Sequence, residues 1–124
     1  MHNDRNDIEA LLQTYFDGVY EDDSRKLRQV FHECSHLFTV TDGRLIDVSR
    51  DDWLETMGPR PFAEAQGLPR HDWVITVDQS GPTTAWAKVS CQLPPRYFTD
   101  YLTLVKPVDG WRIVSKTYRT EIKE

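Results

Sequence analysis

At 124 residues the chain has the length of one domain, spanning 1–124, with no room for a separate cofactor-binding module beside a catalytic one. Its composition, 39% hydrophobic and 28% charged, is that of a globular protein with a hydrophobic core and excludes a disordered or fibrous chain. The 15 Lys and Arg against 20 Asp and Glu leave a formal charge of −5, which argues against nucleic acid or an anionic membrane as a partner.

The first element is a helix from Asp7 to Asp22. Ile8, Leu11, Leu12, Tyr15, Phe16 and Val19 recur at three- and four-residue steps and form one apolar stripe. Asn6 is placed to cap it, and Asp7 and Glu9 suit the positive end of its dipole. Gly18 inside this pattern costs helix stability unless it lets another element come close. After Glu21-Asp22-Asp23, Ser24 is the expected cap of a short second helix carrying Leu27, Val30 and Phe31.

Leu37–Val40 and Leu45–Val48 flank Asp42-Gly43, a strong signal for a β-hairpin with a tight turn. Ser49 with Asp52 resembles a capping box and opens a third helix bearing Trp53, Leu54 and Met57. Pro59 to Pro69 reads as a connector with a possible helical turn over Phe62–Gln66. Beyond it, Trp73, Ile75 and Val77 alternate with polar or smaller neighbours. Ala85, Ala87, Val89 and Cys91 do the same, and strands follow over Arg96–Lys106 and Trp111–Arg119. Strands joined by short turns run antiparallel, so the expected fold is α+β, with three N-terminal helices packed on a curved antiparallel β-sheet.

The element order and three strings carry a resemblance. They are Tyr15-Phe16-Asp17-Gly18-Val19-Tyr20-Glu21-Asp22-Asp23 with Leu27 and Phe31-His32, then Phe98-Thr99-Asp100-Tyr101-Leu102-Thr103-Leu104, and Gly110-Trp111-Arg112-Ile113-Val114-Ser115-Lys116. From about Asp7 to Arg119 the chain resembles the nuclear transport factor two-like superfamily of cystatin-like cones, most closely the bacterial lumazine-binding branch. The resemblance implies a conical pocket between helices and sheet, and a homodimer formed across the outer sheet face. Relatives include isomerases, dehydratases, cyclases and non-catalytic modules, so the fold alone licenses no reaction.

Asp100 shares strand parity with Phe98, Leu102 and Leu104, which places an acid among apolar neighbours. A low-dielectric face disfavours the charged form of a carboxyl group, which suits proton transfer. Parity leaves open that Tyr101 and Thr103 face inward instead, so both Phe98 and Tyr101 are ligand-binding candidates. His32, at the end of the second helix, is either a proton-transfer partner or a cap on that helix's carbonyls. In the resembled branch a histidine recurs at this junction followed by proline, and here Glu33 stands in the proline's place. Tyr15 occupies roughly the position where ketosteroid isomerases place an oxyanion-donating tyrosine, although the isomerases' aspartate has no clear counterpart. Trp53 is the expected pocket rim, and Lys116 is expected either to bind an anionic group or to neutralise Asp100.

No cofactor is expected, and His36 with His32 lacks the third ligand of a metal site. Cys34 and Cys91, in no CxxC arrangement, read as two buried thiols. The polar start and the lack of a long apolar run predict a cytoplasmic protein. The leading expectation is a small-molecule-binding protein. The alternatives are a cofactor-independent isomerase, dehydratase or cyclase and, different in kind, a non-catalytic association module.

Overall fold

The computed structural model describes residues 4–57 and 67–123. Helix α1 (Asp4–Glu21) buries the stripe of Ile8, Leu11, Leu12, Tyr15 and Phe16. It starts at Asp4 rather than Asp7, so Asn6 lies inside the first turn and does not cap it. The Asp4 carboxylate accepts hydrogen bonds from Lys106 Nζ (2.9 Å), Trp111 Nε1 (3.3 Å) and Gln79 Nε2 (2.9 Å), fastening the helix to the sheet. Helix α2 (Ser24–Val30) is capped by Asp23, whose side chain accepts from the Arg25 and Lys26 amides, so the expected cap Ser24 is already helical. A Cβ on Gly18 would lie 2.7 Å from Leu27 Cγ, so the glycine lets α2 seat against α1.

Strand β1 (Phe31–Thr41) begins directly after α2 and turns through Asp42 and Gly43, both at positive φ (52° and 77°), into β2 (Arg44–Ser49). Helix α3 (Arg50–Glu55) is capped as expected by Ser49, whose hydroxyl accepts from the Asp52 amide at 3.2 Å. The proposed helical turn at 62–66 lies outside the described residues. Strands β3 (His71–Ser80), β4 (Thr84–Leu93), β5 (Arg96–Val105) and β6 (Arg112–Ile122) complete one sheet of order β2-β1-β6-β5-β4-β3.

The α+β class and the helices on a single sheet stand as expected, but the sheet is mixed, because β1 pairs parallel to β6. Short turns dictate antiparallel pairing only between consecutive strands, and β1 and β6 are not consecutive. In β3 a bulge between Val74 and Thr76 breaks the expected alternation. Val74 and Val77 pack on the core while Trp73 and Ile75 are exposed. Between sheet and helices lies one apolar cluster that includes Ile8, Leu12, Leu27, Val89, Leu102 and Ile113. Among the described residues no helix is long and apolar enough to cross a membrane.

Candidate functional site

Like buried Ser35, Arg50 and Lys116, Asp100 is a feature of this interior that apolar packing does not explain. Its neighbours of like parity, Leu102 and Leu104, are buried, so the strand pleat carries the carboxyl group inward under α1, where it is only 1% exposed. Tyr15, fixed by the helical period on the core face of α1, donates its hydroxyl to Asp100 Oδ2 at 2.6 Å. The other oxygen, Oδ1, has no hydrogen-bond partner among the described residues. A buried acceptor left unmet costs about 1–3 kcal/mol, so this one calls for a functional explanation.

The surroundings favour neutral hydroxyls and thiols. Burial, reinforced by the negative charge of Asp100, holds the Tyr15 hydroxyl well above the usual phenol range, so it remains a donor. The same two causes raise Tyr118. Burial and then Asp100 push the Cys91 thiol up, which removes it as a thiolate nucleophile.

Asp100 pairs across the strands with Tyr118, and Leu102 pairs with Lys116, so the acid and the lysine are diagonal neighbours. Lys116 is only 8% exposed, yet it forms no ion pair with Asp100 or with any other described residue. Its Nζ instead lies 5.3 Å from the Tyr15 ring centre, 5.0 Å from Trp53 and 5.1 Å from Tyr118. Such contacts favour the cation through the negative ring faces but accept none of its hydrogen bonds. Trp53 is held edge-on to Phe31, with ring centres 5.3 Å apart, and Phe31 in turn leans on Tyr15 at 5.7 Å.

Tyr15, Asp100, Lys116 and Trp53 thus meet in one interior site, and Phe98 packs against the core on the same face of β5. Three other expectations change. Tyr101 is exposed on the outer face, with Lys88 Nζ 5.5 Å from its ring, because inward Asp100 forces the next side chain outward. His32 belongs to β1 and caps nothing; the α2 carbonyl of Leu27 is met by the Phe31 amide. Its Nδ1 accepts from the Cys34 amide at 3.1 Å and lies 3.0 Å from Cys34 Sγ, with no contact to Asp100. Cys34 is exposed, so only one of the two thiols is buried. His36 pairs with Asp47 at 2.6 Å, and no metal-ligating cluster occurs among the described residues. The sequence reading missed Phe31, taken for a helical residue; the aromatic cradle it props up has no local signal.

Two hollows flank the site. A crevice of about 10 Å³ ends at Cys91 beside Phe16 and Tyr20, and a groove of about 290 Å³ lies at the far end of β5 beside Leu11, Lys106 and Trp111. Neither is lined by Asp100, Tyr15 or Lys116. The Tyr15 hydroxyl lies directly against Asp100.

Three helices on one face of a mixed six-stranded sheet, with polar groups drawn to its inner side, define a protein of the nuclear transport factor two-like, cystatin-like class. Residues 3–119 match the family described as "Putative lumazine-binding", and the chain belongs to that family. An NTF2-like protein of unknown function from Shewanella baltica has the same fold at a TM-score of 0.82 and 24% identity, over 97% of this chain and 95% of that one. Another, from Silicibacter pomeroyi, gives 0.78 and 23%, over 98% and 100%. A curated relative, aldolase FrzH of a Cladobotryum species, is 26% identical over 125 residues, covering 96% of this chain and 95% of that protein. Family and fold together support a small-molecule-associated protein.

Proposed function

We propose that the chain binds a small organic molecule between α1, α3 and the inner sheet face, with Asp100 as its polar anchor. The observation that carries this reading is Asp100 Oδ1, a buried acceptor with no partner among the described residues that a ligand's N–H or O–H would satisfy. Tyr15 holds the carboxyl group in place through the other oxygen. Entry requires the Trp53 ring and the Lys116 chain to make room. Trp53 sits on a helix of only six residues. The test is a metabolite screen by thermal shift. Compounds that stabilise the wild type and lose that effect in Asp100→Asn support the reading; stabilisation that is identical in the variant refutes it.

A second reading, proton-transfer catalysis on a carbonyl compound, is favoured by the tyrosine-aspartate hydrogen bond. One member is held protonated as a donor, and the other has an oxygen free to take a proton. The likeness to a protein named as an aldolase agrees with carbonyl chemistry. Turnover of a carbonyl substrate that Asp100→Asn abolishes while binding persists supports catalysis; binding without turnover leaves the protein a binder.

The exposed Trp73, Ile75, Trp86 and Tyr101 support the expected homodimer across the outer sheet face, which a monomeric mass at micromolar concentration would remove.

A further inference from the structure

Strand β1 pairs with β6 at Phe31 and next at His36, with an irregularity in the register between them. Ser35 pins the intervening stretch from the buried side, its hydroxyl donating to the His32 carbonyl at 2.6 Å. Bulges re-aim side chains, and this one turns His32 back on Cys34. The Cys34 amide donates to His32 Nδ1 at 3.1 Å, and the exposed Sγ lies 3.0 Å from the same nitrogen. An amide N–H can only donate, so Nδ1 is an acceptor and the neutral imidazole carries its hydrogen on Nε2. The thiol hydrogen therefore faces a lone pair. The amide bond by itself is a backbone turn that any residue but proline would complete at position 34, because it uses the main-chain nitrogen. Nothing in that turn calls for sulfur, and the exposed thiol fills no place in the core.

We propose that His32 and Cys34 form a base–thiol pair on the surface, a site for S-thiolation by a low-molecular-weight disulfide. Nucleophilic attack needs the thiolate, and a free thiol is only a few per cent ionised at neutral pH. An imidazole within hydrogen-bond reach is the base that removes this obstacle. In the step, the S–H proton passes to Nδ1 as Sγ forms a bond to one sulfur of the disulfide. The S–S bond of the reagent breaks, and its second sulfur leaves with the electron pair and takes the proton from Nδ1. Cys34 ends oxidised, as a mixed disulfide, and the reagent releases one thiol, reduced. Cys91 does not resolve this product, since it is buried in the core and burial pushes its thiol up. The adduct therefore persists until an external thiol removes it.

The experiment follows adduct formation at pH 7 with bis(2-hydroxyethyl) disulfide, an uncharged reagent, by intact mass, with the modified cysteine located by peptide mapping. Cys34 should react about 10-fold faster than N-acetylcysteine amide, less than the roughly 100-fold of an enclosed catalytic base because this pair is open to water. His32→Asn places an amide oxygen near the position of Nδ1, which preserves an acceptor for the Cys34 amide and removes the base. Its rate should fall to about that of N-acetylcysteine amide. The rate of His32→Ala should fall as far and be restored by added imidazole, a rescue that a merely structural histidine would not show. A His32→Asn rate equal to that of the wild type, or wild-type Cys34 reacting no faster than N-acetylcysteine amide, overturns the proposal and leaves a backbone turn. The comparison with N-acetylcysteine amide uses the wild type alone, so it decides the matter even where circular dichroism shows a variant to be unfolded.

Discussion

Replacing Tyr15 with phenylalanine removes one oxygen and little else. The ring contacts with Phe16 and Phe31 remain, as does the ring face toward Lys116, so the change isolates the 2.6 Å bond to Asp100. Among the described residues that bond is the one hydrogen bond at a carboxyl group that is 1% exposed. Bonds to charged groups contribute about 1.5–3 kcal/mol, and the loss here leaves both carboxyl oxygens buried and unmet, so a cost near the top of that range, about 2–3 kcal/mol, is expected. At an unfolding entropy of about 2 cal/mol/K per residue, a domain of this size should then melt about 10 °C lower. Urea unfolding at pH 7 followed by tryptophan fluorescence measures the free energy, and calorimetry measures the melting temperature. In an Asp100→Asn background the same change breaks only a neutral bond and should cost about 1 kcal/mol. A Tyr15→Phe cost below about 0.5 kcal/mol, or an equal cost in both backgrounds, would refute the account of this pair.

Gly18→Ala gains helix propensity of up to about 1 kcal/mol but drives a Cβ to 2.7 Å from Leu27 Cγ, an overpacking worth about 1–3 kcal/mol, so the variant should be less stable by about 1 kcal/mol. Added Leu27→Ala should relieve that clash in a double-mutant cycle. The bonds from Lys106 and Gln79 lower Asp4 from 3.8 to about 2. A depressed folded-state value gives stability that is present above 3.8 and lost as pH falls toward about 2. Asp4→Asn should therefore flatten the acid limb of stability measured by denaturant titration across that window. In native protein Ellman's reagent should modify exposed Cys34 and spare Cys91, which should react only after unfolding.

Much of the architecture was legible because each element has a periodic or a local cause. The stripe on α1, the Asp42-Gly43 turn and the Ser49 cap all act within a few residues. Parity groups Asp100 with Leu102 and Leu104 but leaves open which face turns inward, and the packing under α1 decides it. The remainder depends on distant partners. Ile75 is exposed because β3 bulges against β4, and no alternation within β3 announces it. His32 has the residue chemistry of a proton carrier, yet β1 starts at Phe31 and turns the imidazole toward Cys34. For Lys116 the sequence leaves two roles, binding an anionic group or neutralising Asp100. The register of β6 on β5 brings it near, but the surrounding rings hold the ammonium instead.

The parallel contact between β1 and β6 bears on how the chain must be made. During synthesis, β1 and β2 leave the ribosome early as a hairpin whose inner edge has nothing to bond until β6 follows. The hydrogen-bonding groups on that edge stay available to neighbouring chains throughout. A contact spanning so much of the sequence slows folding and ties it to late translation. A nascent chain stalled before Arg112 therefore lacks the strand that joins the early hairpin to the later meander, and it should be held by chaperones rather than accumulate as a folded fragment.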